Sequence, residues 1–214
     1  MDEEITIINA NTRNEKIRNF FINNKKRIII IFSIIFILLV GYYSLEQIKN
    51  KNKIKLANEF NSATIDFEIG EKEKATEKLT NIINKQDVTY SPLSLYFLID
   101  NNLIDNKDEI NEFFNILINE TNLEKEIKNL LIYKKALYNS DSSPENELIT
   151  ILKPIINSES IWKSHALYLL AEYFYSQNEK QKSKEFFMKV LESTSSNNQI
   201  KLEAQKRLNR DFSE

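Results

Sequence analysis

His165 is the chain's single histidine, and the sequence contains no cysteine. A structural or catalytic zinc site needs three or four His, Cys or carboxylate ligands, and no second imidazole and no thiol is present to complete one. The sequence also gives no Ser/Asp arrangement around His165 of the kind that nucleophilic catalysis uses. We therefore predict no catalytic residue, no metal site and no cofactor, and we interpret His165 as a surface or groove residue.

Other patterns with a chemical meaning are weak. Acidic pairs such as Asp108-Glu109 are typical of solvated helix faces, and two glycines cannot supply a Gly-rich phosphate loop. The 29 basic and 31 acidic residues are not gathered into a basic block, which argues against nucleic-acid binding. We predict a non-enzymatic protein with no small-molecule substrate and no nucleic-acid partner.

Aromatic residues in the last third of the chain are the candidates for protein binding, because Tyr and Trp supply large contact areas at low entropic cost. Tyr173 and Tyr175 flank Phe174 on a predicted helix, so the three rings cannot all face inward. We predict that Trp162, Tyr168, Tyr173 and Tyr175 contribute to a concave recognition face. The alternative is that they are partly exposed packing residues, and for Trp162 packing between helical hairpins is the preferred interpretation.

Residues 28–45, IIIIFSIIFILLVGYYSL, contain no charge. Eighteen helical residues span about 27 Å, close to the hydrocarbon thickness of a bilayer. A soluble helix would need a polar side, and this run is apolar on every face. A cleaved signal peptide is disfavoured by the 27 residues that precede the run and by the absence of a small-x-small site after it. We predict an uncleaved transmembrane anchor that contacts the lipid bilayer.

Lys25, Lys26 and Arg27 directly precede the anchor, whereas the far flank begins with Glu46. The positive-inside rule then places the N-terminus in the cytoplasm. We predict a cytoplasmic tail over residues 1–27, the anchor over 28–45 and an exported domain over 46–214. The predicted location is the bacterial inner membrane, with a single pass and the C-terminal domain in the periplasm.

The tail contains Thr12-Arg13-Asn14-Glu15, which has the spacing of a capping box. A helix starting there presents Ile17, Phe20 and Phe21. We interpret it as an interfacial lead-in to the anchor, with a cytoplasmic docking peptide as the alternative.

Helix signals recur through the exported part. Ser91-Pro92 and Ser143-Pro144 pair an N-cap hydroxyl with a first-turn proline, and Thr121-x-x-Glu124 has capping-box spacing. The predicted helices cover residues 47–69, 71–85, 92–103, 107–119, 122–139, 145–156, 160–176, 180–193 and 197–209. Short connections predict antiparallel neighbours, and so an all-α solenoid of helical hairpins.

Small and large residues alternate as in tetratricopeptide (TPR) repeats, whose period is 34 residues. In the best unit Ala171 and Ser183 occupy positions where two helices approach closely, and the fillers are Leu167, Leu170, Phe174 and Phe187. An earlier unit has Gly70 at its turn and Ala75 at the close contact, while the middle units lack the small residues. We predict that the helix over 197–209 is a polar-faced cap.

The last third of the chain contains a series of motifs over about residues 148–208. They are Leu152-Lys153-Pro154-Ile155-Ile156, Trp162-Lys163-x-x-Ala166-x-x-Leu169-Leu170-Ala171, Phe186-Phe187 and Glu203-Ala204-Gln205. With these motifs and with its architecture of tail, anchor and exported repeat domain, the chain resembles the YfgM-like proteins, which are ancillary subunits of the SecYEG translocon. The departures are Ser183 for the usual Ala and Asn178 for a turn Gly. The likeness is to the α-proteobacterial form.

This resemblance implies association with the SecYEG translocon and with periplasmic chaperones that help exported proteins to pass onward. The other hypothesis is a periplasmic TPR scaffold in envelope assembly or cell division, without a translocon role. A tethered enzyme is the third class, and no residue in the chain is nominated for it.

Overall fold

The structure is a computed structural model that describes residues 15–193 and 197–212. Regular secondary structure in these residues is helical, and the protein is all-α as predicted. Residues 15–23 form α1 and are followed by a turn at Asn24. The remaining helices are α2 (Lys25–Glu68), α3 (Lys72–Ile83), α4 (Tyr90–Asp100), α5 (Lys107–Asn119), α6 (Lys125–Asn139), α7 (Glu145–Ile156), α8 (Lys163–Ser176), α9 (Lys180–Glu192) and α10 (Asn198–Asp211).

The chain divides into two compact units, Met1–Lys55 and Leu56–Glu214. In the first unit, α2 has an apolar stretch that is long enough to cross a membrane, and none of it is buried within the described residues. The sequence predicted separate helices over 28–45 and 47–69, but α2 is continuous, because neither proline nor a second glycine follows Gly41 before the helix ends. The predicted capping box at Thr12 to Glu15 lies largely outside the described residues.

The second unit is built of sequentially packed helix pairs. Helices α4 and α5, α6 and α7, and α8 and α9 form pairs, α10 packs on α9, and each helix from α3 onward contacts the next. At the start of the unit, buried Ala63 of α2 belongs to one apolar cluster with Leu79 of α3. Helix α8 also contacts both α6 and α10. The two-helix unit is thus repeated along the chain.

Side-chain hydrogen bonds reveal the period of this repeat. Several of them join residues 34, 35 or 37 positions apart, and therefore link one helix pair to the next. The pairs are Glu126 with Ser160, Lys107 with Ser142, Glu172 with Arg207 and Glu145 with Lys182. This spacing is close to the 34-residue period on which the TPR prediction rests. The assignment to that repeat family stays a prediction.

Helices α2, α4 and α8 end in the same kind of turn. In each, a residue with positive φ follows the helix, and these residues are Gly70 (φ 90°), Asn102 (φ 50°) and Asn178 (φ 62°). The next residue donates its backbone N–H to a carbonyl five positions earlier, the donors being Glu71, Leu103 and Glu179. This is the Schellman arrangement, which needs a left-handed residue that Gly or Asn adopts most easily. The predicted turn roles of Gly70 and Asn178 are confirmed.

The positions predicted to need small residues are fully buried. Ala75 on α3 and the pair Ala171 and Ser183 at the contact of α8 with α9 have no exposed surface. The predicted fillers around the second contact are also buried, namely Leu167, Leu170, Phe174 and Phe187. Small side chains let the helix backbones approach, and the large ones fill the space beside them. The packing pattern read from the sequence is confirmed here.

The predicted cap at Ser91 is wrong. Helix α4 begins at Tyr90, and the Ser91 hydroxyl donates to the carbonyl of Ile82 at 2.7 Å, at the end of α3. Asp87 instead supports the first turn, because its Oδ1 accepts from the N–H groups of Thr89 and Tyr90 at 2.9 and 2.8 Å. The serine therefore joins two helices rather than capping one.

The other two predicted caps are also wrong. Helix α6 begins at Lys125 after an N-cap at Glu124, and Thr121 Oγ1 contacts the carbonyl of Ile116 at 3.4 Å. Helix α7 begins at Glu145, with Pro144 as an N-cap that has no side-chain hydrogen bond. In both cases the hydroxyl residue precedes the N-cap position, which Glu124 and Pro144 occupy with extended backbones, so it lies too far from the first turn to cap it.

Candidate protein-binding surface

Trp162 precedes α8 and belongs to an aromatic cluster with α6. Its ring is stacked on Tyr133, with 5.9 Å between centroids and an interplanar angle of 18°, and lies 5.2 Å from the ring of His165. Stacked aromatic rings add to the free energy gained by burying their area. Trp162 therefore packs between helix pairs, which is the preferred interpretation from the sequence.

Glu126 holds the turn before α8 against the start of α6. Its Oε2 accepts a 2.7 Å hydrogen bond from Ser160 Oγ and a 3.3 Å bond from the backbone N–H of Ile161. Ser160 is fully buried. Charged acceptors strengthen such bonds, so the Glu126 carboxylate fixes the segment that carries both Ile161 and Trp162.

His165 is half-buried within this cluster. Burial lowers the pKa of the His165 imidazole, and a weaker backbone interaction with Ile161 acts in the opposite direction. Within the described part of the chain, its Nδ1 atom is buried without a hydrogen-bond partner. The imidazole therefore favours its neutral form and provides a polar edge to the rings of Tyr133 and Trp162.

Tyr168 and Tyr175 lie where α10 packs on α8. Between them Glu172 forms a two-point ion pair with Arg207, with Nε to Oε1 at 2.7 Å and Nη2 to Oε2 at 2.5 Å. The Arg207 guanidinium also lies 4.4 Å from the ring centroid of Tyr175 and pairs with Asp211. These contacts attach the predicted capping helix to α8.

The environment of Tyr168 suppresses ionisation of its phenol. Burial, with a smaller contribution from the Glu172 carboxylate, raises the pKa of Tyr168 to about 12. The Tyr168 ring packs edge-on against Phe187 at 5.4 Å. Tyr168 thus acts as a neutral packing residue.

Tyr173 lies on a different side of α8 from Tyr175. Its hydroxyl donates a 3.1 Å hydrogen bond to the backbone carbonyl of Ser143, in the turn before α7. Two residues along an α-helix differ in direction by about 200°, so Tyr173 contacts the preceding pair and Tyr175 contacts α10. The structure therefore does not bring the four aromatic candidates together on one face.

A different set of residues is exposed at the starts of successive helix pairs, in α4, in α6 and in the turn before α8. Leu93, Ile127 and Ile161 occur at intervals of 34 residues, at or next to the N-terminal ends of α4, α6 and α8. Their exposed fractions are 43%, 42% and 59%. None of them stands out in the sequence, because Leu93 and Ile127 are ordinary helix residues and Ile161 lies in a turn. Their common spacing was the signal that could have found them.

Half-buried aromatic rings belong to the same elements as these aliphatic residues, namely Tyr96 on α4, Tyr133 on α6 and Trp162 directly before α8. Lys134 of α6 places its ammonium 5.6 Å from the ring centroid of Tyr96 on α4, so the two helices are neighbours at this level. Burial raises the pKa of Tyr96 to about 12 and also raises that of Tyr133. We name the resulting surface the α4–α6–α8 face. It consists of Leu93, Tyr96, Ile127, Tyr133, Ile161 and Trp162.

The chemistry of this face suits contact with apolar groups. Exposed aliphatic side chains together with half-buried aromatic rings on the same helices are the residue types found at the apolar centres of protein interfaces. Within residues 15–193 and 197–212, no group of three or more His, Asp or Glu residues is placed to hold a metal ion.

No protein-family model, no curated protein and no solved structure matches this chain. The fold defines the class on its own. This is an all-helical protein with one long apolar N-terminal helix, followed by sequentially packed helix pairs.

Proposed function

We propose that this protein is a non-enzymatic, membrane-tethered module that binds other proteins through the α4–α6–α8 face. The observation that carries the proposal is the exposure of Leu93, Ile127 and Ile161 at one repeat interval on neighbouring helix pairs. A soluble surface normally scatters such residues singly, whereas a row of them indicates an interaction site.

The membrane tether is supported by the apolar part of α2. That segment is long enough to span a bilayer, and the described residues leave it unburied. Its uncharged run from residue 28 to 45 and the preceding Lys25-Lys26-Arg27 favour a single-pass anchor with a cytoplasmic N-terminus. The packed helix pairs then lie in the periplasm.

For the particular function, we propose an ancillary translocon subunit that links SecYEG to periplasmic chaperones and exported clients. The support is the resemblance of residues 148–208 to YfgM-like proteins. The buried residue Ala171 and the aromatic residue Trp162 belong to the motifs that carry this resemblance, and Ser183, a departure from them, is small enough to be buried at the same helix contact.

The test is to crosslink the tagged full-length protein in its own membranes, purify it in mild detergent and identify the co-purified proteins by mass spectrometry. We expect the SecY channel and a membrane-anchored periplasmic chaperone. Recovery of envelope-assembly or division proteins in their place would reject the translocon role and favour the scaffold hypothesis.

A pair of surface variants tests the binding face. Ile127→Ser with Ile161→Ser removes two of its exposed side chains, and we expect the co-purified partners to be lost. Met188→Ser with Leu202→Ser is the matched control, because these residues are 46% and 55% exposed on α9 and α10. Equal recovery of partners with both double variants would overturn the assignment of the face.

A further inference from the structure

The short helix α1 before the apolar segment has one apolar face. Ile17, Phe20 and Phe21 are at i, i+3 and i+4, so they share one side of the helix, and each is at least half exposed. At 100° per residue Ile22 falls on the opposite side, close to Arg18. The described residues leave this apolar face uncovered.

Basic residues border the same face. Lys16 and Arg18 lie on its two edges, and Lys25, Lys26 and Arg27 begin α2 directly after the turn at Asn24. Residues 15–27 contain these five basic residues and one acidic residue, Glu15. Long basic side chains at the edges of an apolar stripe can keep their charges in water or at lipid phosphates while their stems cover apolar groups.

The turn at Asn24 separates α1 from α2. Asn24 donates both its backbone N–H and its side-chain Nδ2 to the carbonyl of Phe20, at 3.0 and 2.9 Å. These two bonds complete the C-terminal end of α1 before the basic cluster begins. The chain therefore carries a finished helix with an apolar face immediately next to a segment long enough to cross a membrane.

We propose that α1 binds the anionic lipid surface of the membrane that α2 crosses, with Ile17, Phe20 and Phe21 at the boundary between head groups and acyl chains. Lys16 and Arg18 then contact lipid phosphates. An anionic lipid surface is the expected partner because its charge is complementary to the basic residues that border α1 and because α1 directly precedes the apolar segment. This inference rests on the proposed membrane anchor, and it does not depend on what the packed helix pairs bind.

The absence of cysteine allows a direct test on the full-length chain. Single-cysteine variants at Phe20, Phe21, Asn19 and Ile22 are spin-labelled and placed in bilayer discs of phosphatidylethanolamine and phosphatidylglycerol. Accessibility to oxygen, which partitions into lipid, is compared with accessibility to a water-soluble nickel chelate. We expect the oxygen-to-nickel ratio to be several-fold higher at positions 20 and 21 than at positions 19 and 22.

Ile22 is the decisive control, because it is as apolar as its neighbours but lies on the other side of α1. A high oxygen ratio at all four positions would mean that α1 is inserted as an extension of the transmembrane helix. High nickel accessibility at all four would mean that α1 projects into water, and shielding from both reagents would mean that a protein covers it. Each of these three results overturns the proposal.

The lipid charge is tested separately. We define the contrast as the oxygen-to-nickel accessibility ratio at position 20 divided by that at position 22. We expect this contrast to fall several-fold in discs of phosphatidylcholine alone. The double variant Lys16→Gln with Arg18→Gln should lower the contrast in phosphatidylglycerol discs but leave it unchanged in phosphatidylcholine. A contrast that responds to neither change would overturn the assignment of an anionic lipid surface.

Discussion

Ser183 on α9 donates a 2.8 Å hydrogen bond from its hydroxyl to the backbone carbonyl of Ala171 on α8, and both residues are fully buried. The family that the sequence resembles usually has alanine in place of this serine. Serine is small enough for the close approach of the two helices, and the carbonyl of Ala171 satisfies the additional hydroxyl. The departure from the pattern is therefore compatible with the same packing.

We expect Ser183→Ala to lower the free energy of unfolding by about 1 kcal/mol, because one buried hydrogen bond is lost without leaving an unpaired donor. Ser183→Leu should cost more, on the order of 1–3 kcal/mol, because the isopropyl group that replaces the hydroxyl does not fit between the helices. Denaturant unfolding of the protein in mild detergent measures both. If leucine were no worse than alanine, the close contact of α8 with α9 would be wrong.

Gly70 adopts φ 90° in the turn between α2 and α3, although beyond its two chain neighbours no atom lies within 4 Å of where a Cβ would be placed. Gly70→Ala should therefore cost about 1–2 kcal/mol through backbone strain alone. Gly41→Ala is the control, because Gly41 lies in α2 without a positive φ and has the same open surroundings. Thermal unfolding of the helix pairs distinguishes them, and equal midpoints for both variants would contradict the strained conformation.

Asn111 on α5 and Asn139 on α6 exchange two amide hydrogen bonds, of 3.0 and 2.7 Å. Asn139 is buried and also donates to the carbonyl of Lys135. Replacing either residue by alanine removes both bonds of the exchange at once, so a second substitution has less to lose and the effects should not add. A double-mutant cycle should give a coupling energy of about 1 kcal/mol. Additive losses would show that the two amides do not support each other.

Asp66 is buried on α2 and pairs with Lys78 and, at 3.1 Å, with Lys74. The hydrogen bond from Lys78 is the main reason that the pKa of Asp66 is lowered from 3.8, and burial opposes it. A carboxyl with a lowered native pKa stabilises the fold above its unfolded pKa and loses that contribution as the pH falls through the native value.

We therefore expect Asp66→Asn to be less stable than the wild type at pH 7 and the difference to shrink as the pH falls below 3.8. Unfolding free energies of both proteins across this pH range test it. Glu68→Gln, at an exposed position on the same helix, controls for general charge effects. A difference between wild type and Asp66→Asn that stayed constant with pH would reject the role of the ionised carboxylate.

The predicted topology can be read from single cysteines at exposed positions on each side of the apolar segment. In intact spheroplasts, Lys184→Cys on α9 should react with a membrane-impermeant maleimide, whereas Glu15→Cys should react only after the membrane is permeabilised. The reverse pattern would contradict the orientation derived from Lys25, Lys26 and Arg27. A mature chain that lacks residue 15 would indicate a cleaved signal peptide.

Local sequence patterns predicted the helix bounds well where the periodicity of apolar residues and the residues typical of helix ends indicate the same limits. The bounds of α5 and α7 match the sequence prediction at both ends. The buried roles of Ala75, Ala171 and Ser183 were also foreseen, because small residues at repeat positions have one structural use. The N-caps were not foreseen. A serine such as Ser91 can hydrogen-bond either to the first turn of its own helix or to a neighbouring helix, and local sequence does not choose between these two partners.

The sequence by itself determined that the chain is all-α, that one apolar N-terminal helix could cross a membrane and that the remaining helices are amphipathic. These properties follow from periodicity and hydrophobicity within a few helical turns. Only the tertiary structure decided that Trp162 stacks on Tyr133, that Tyr173 and Tyr175 contact different neighbours and that Leu93, Ile127 and Ile161 stay exposed on adjacent pairs. Such contacts join residues about one repeat apart, and the stacking geometry of whole helices sets them rather than any local preference.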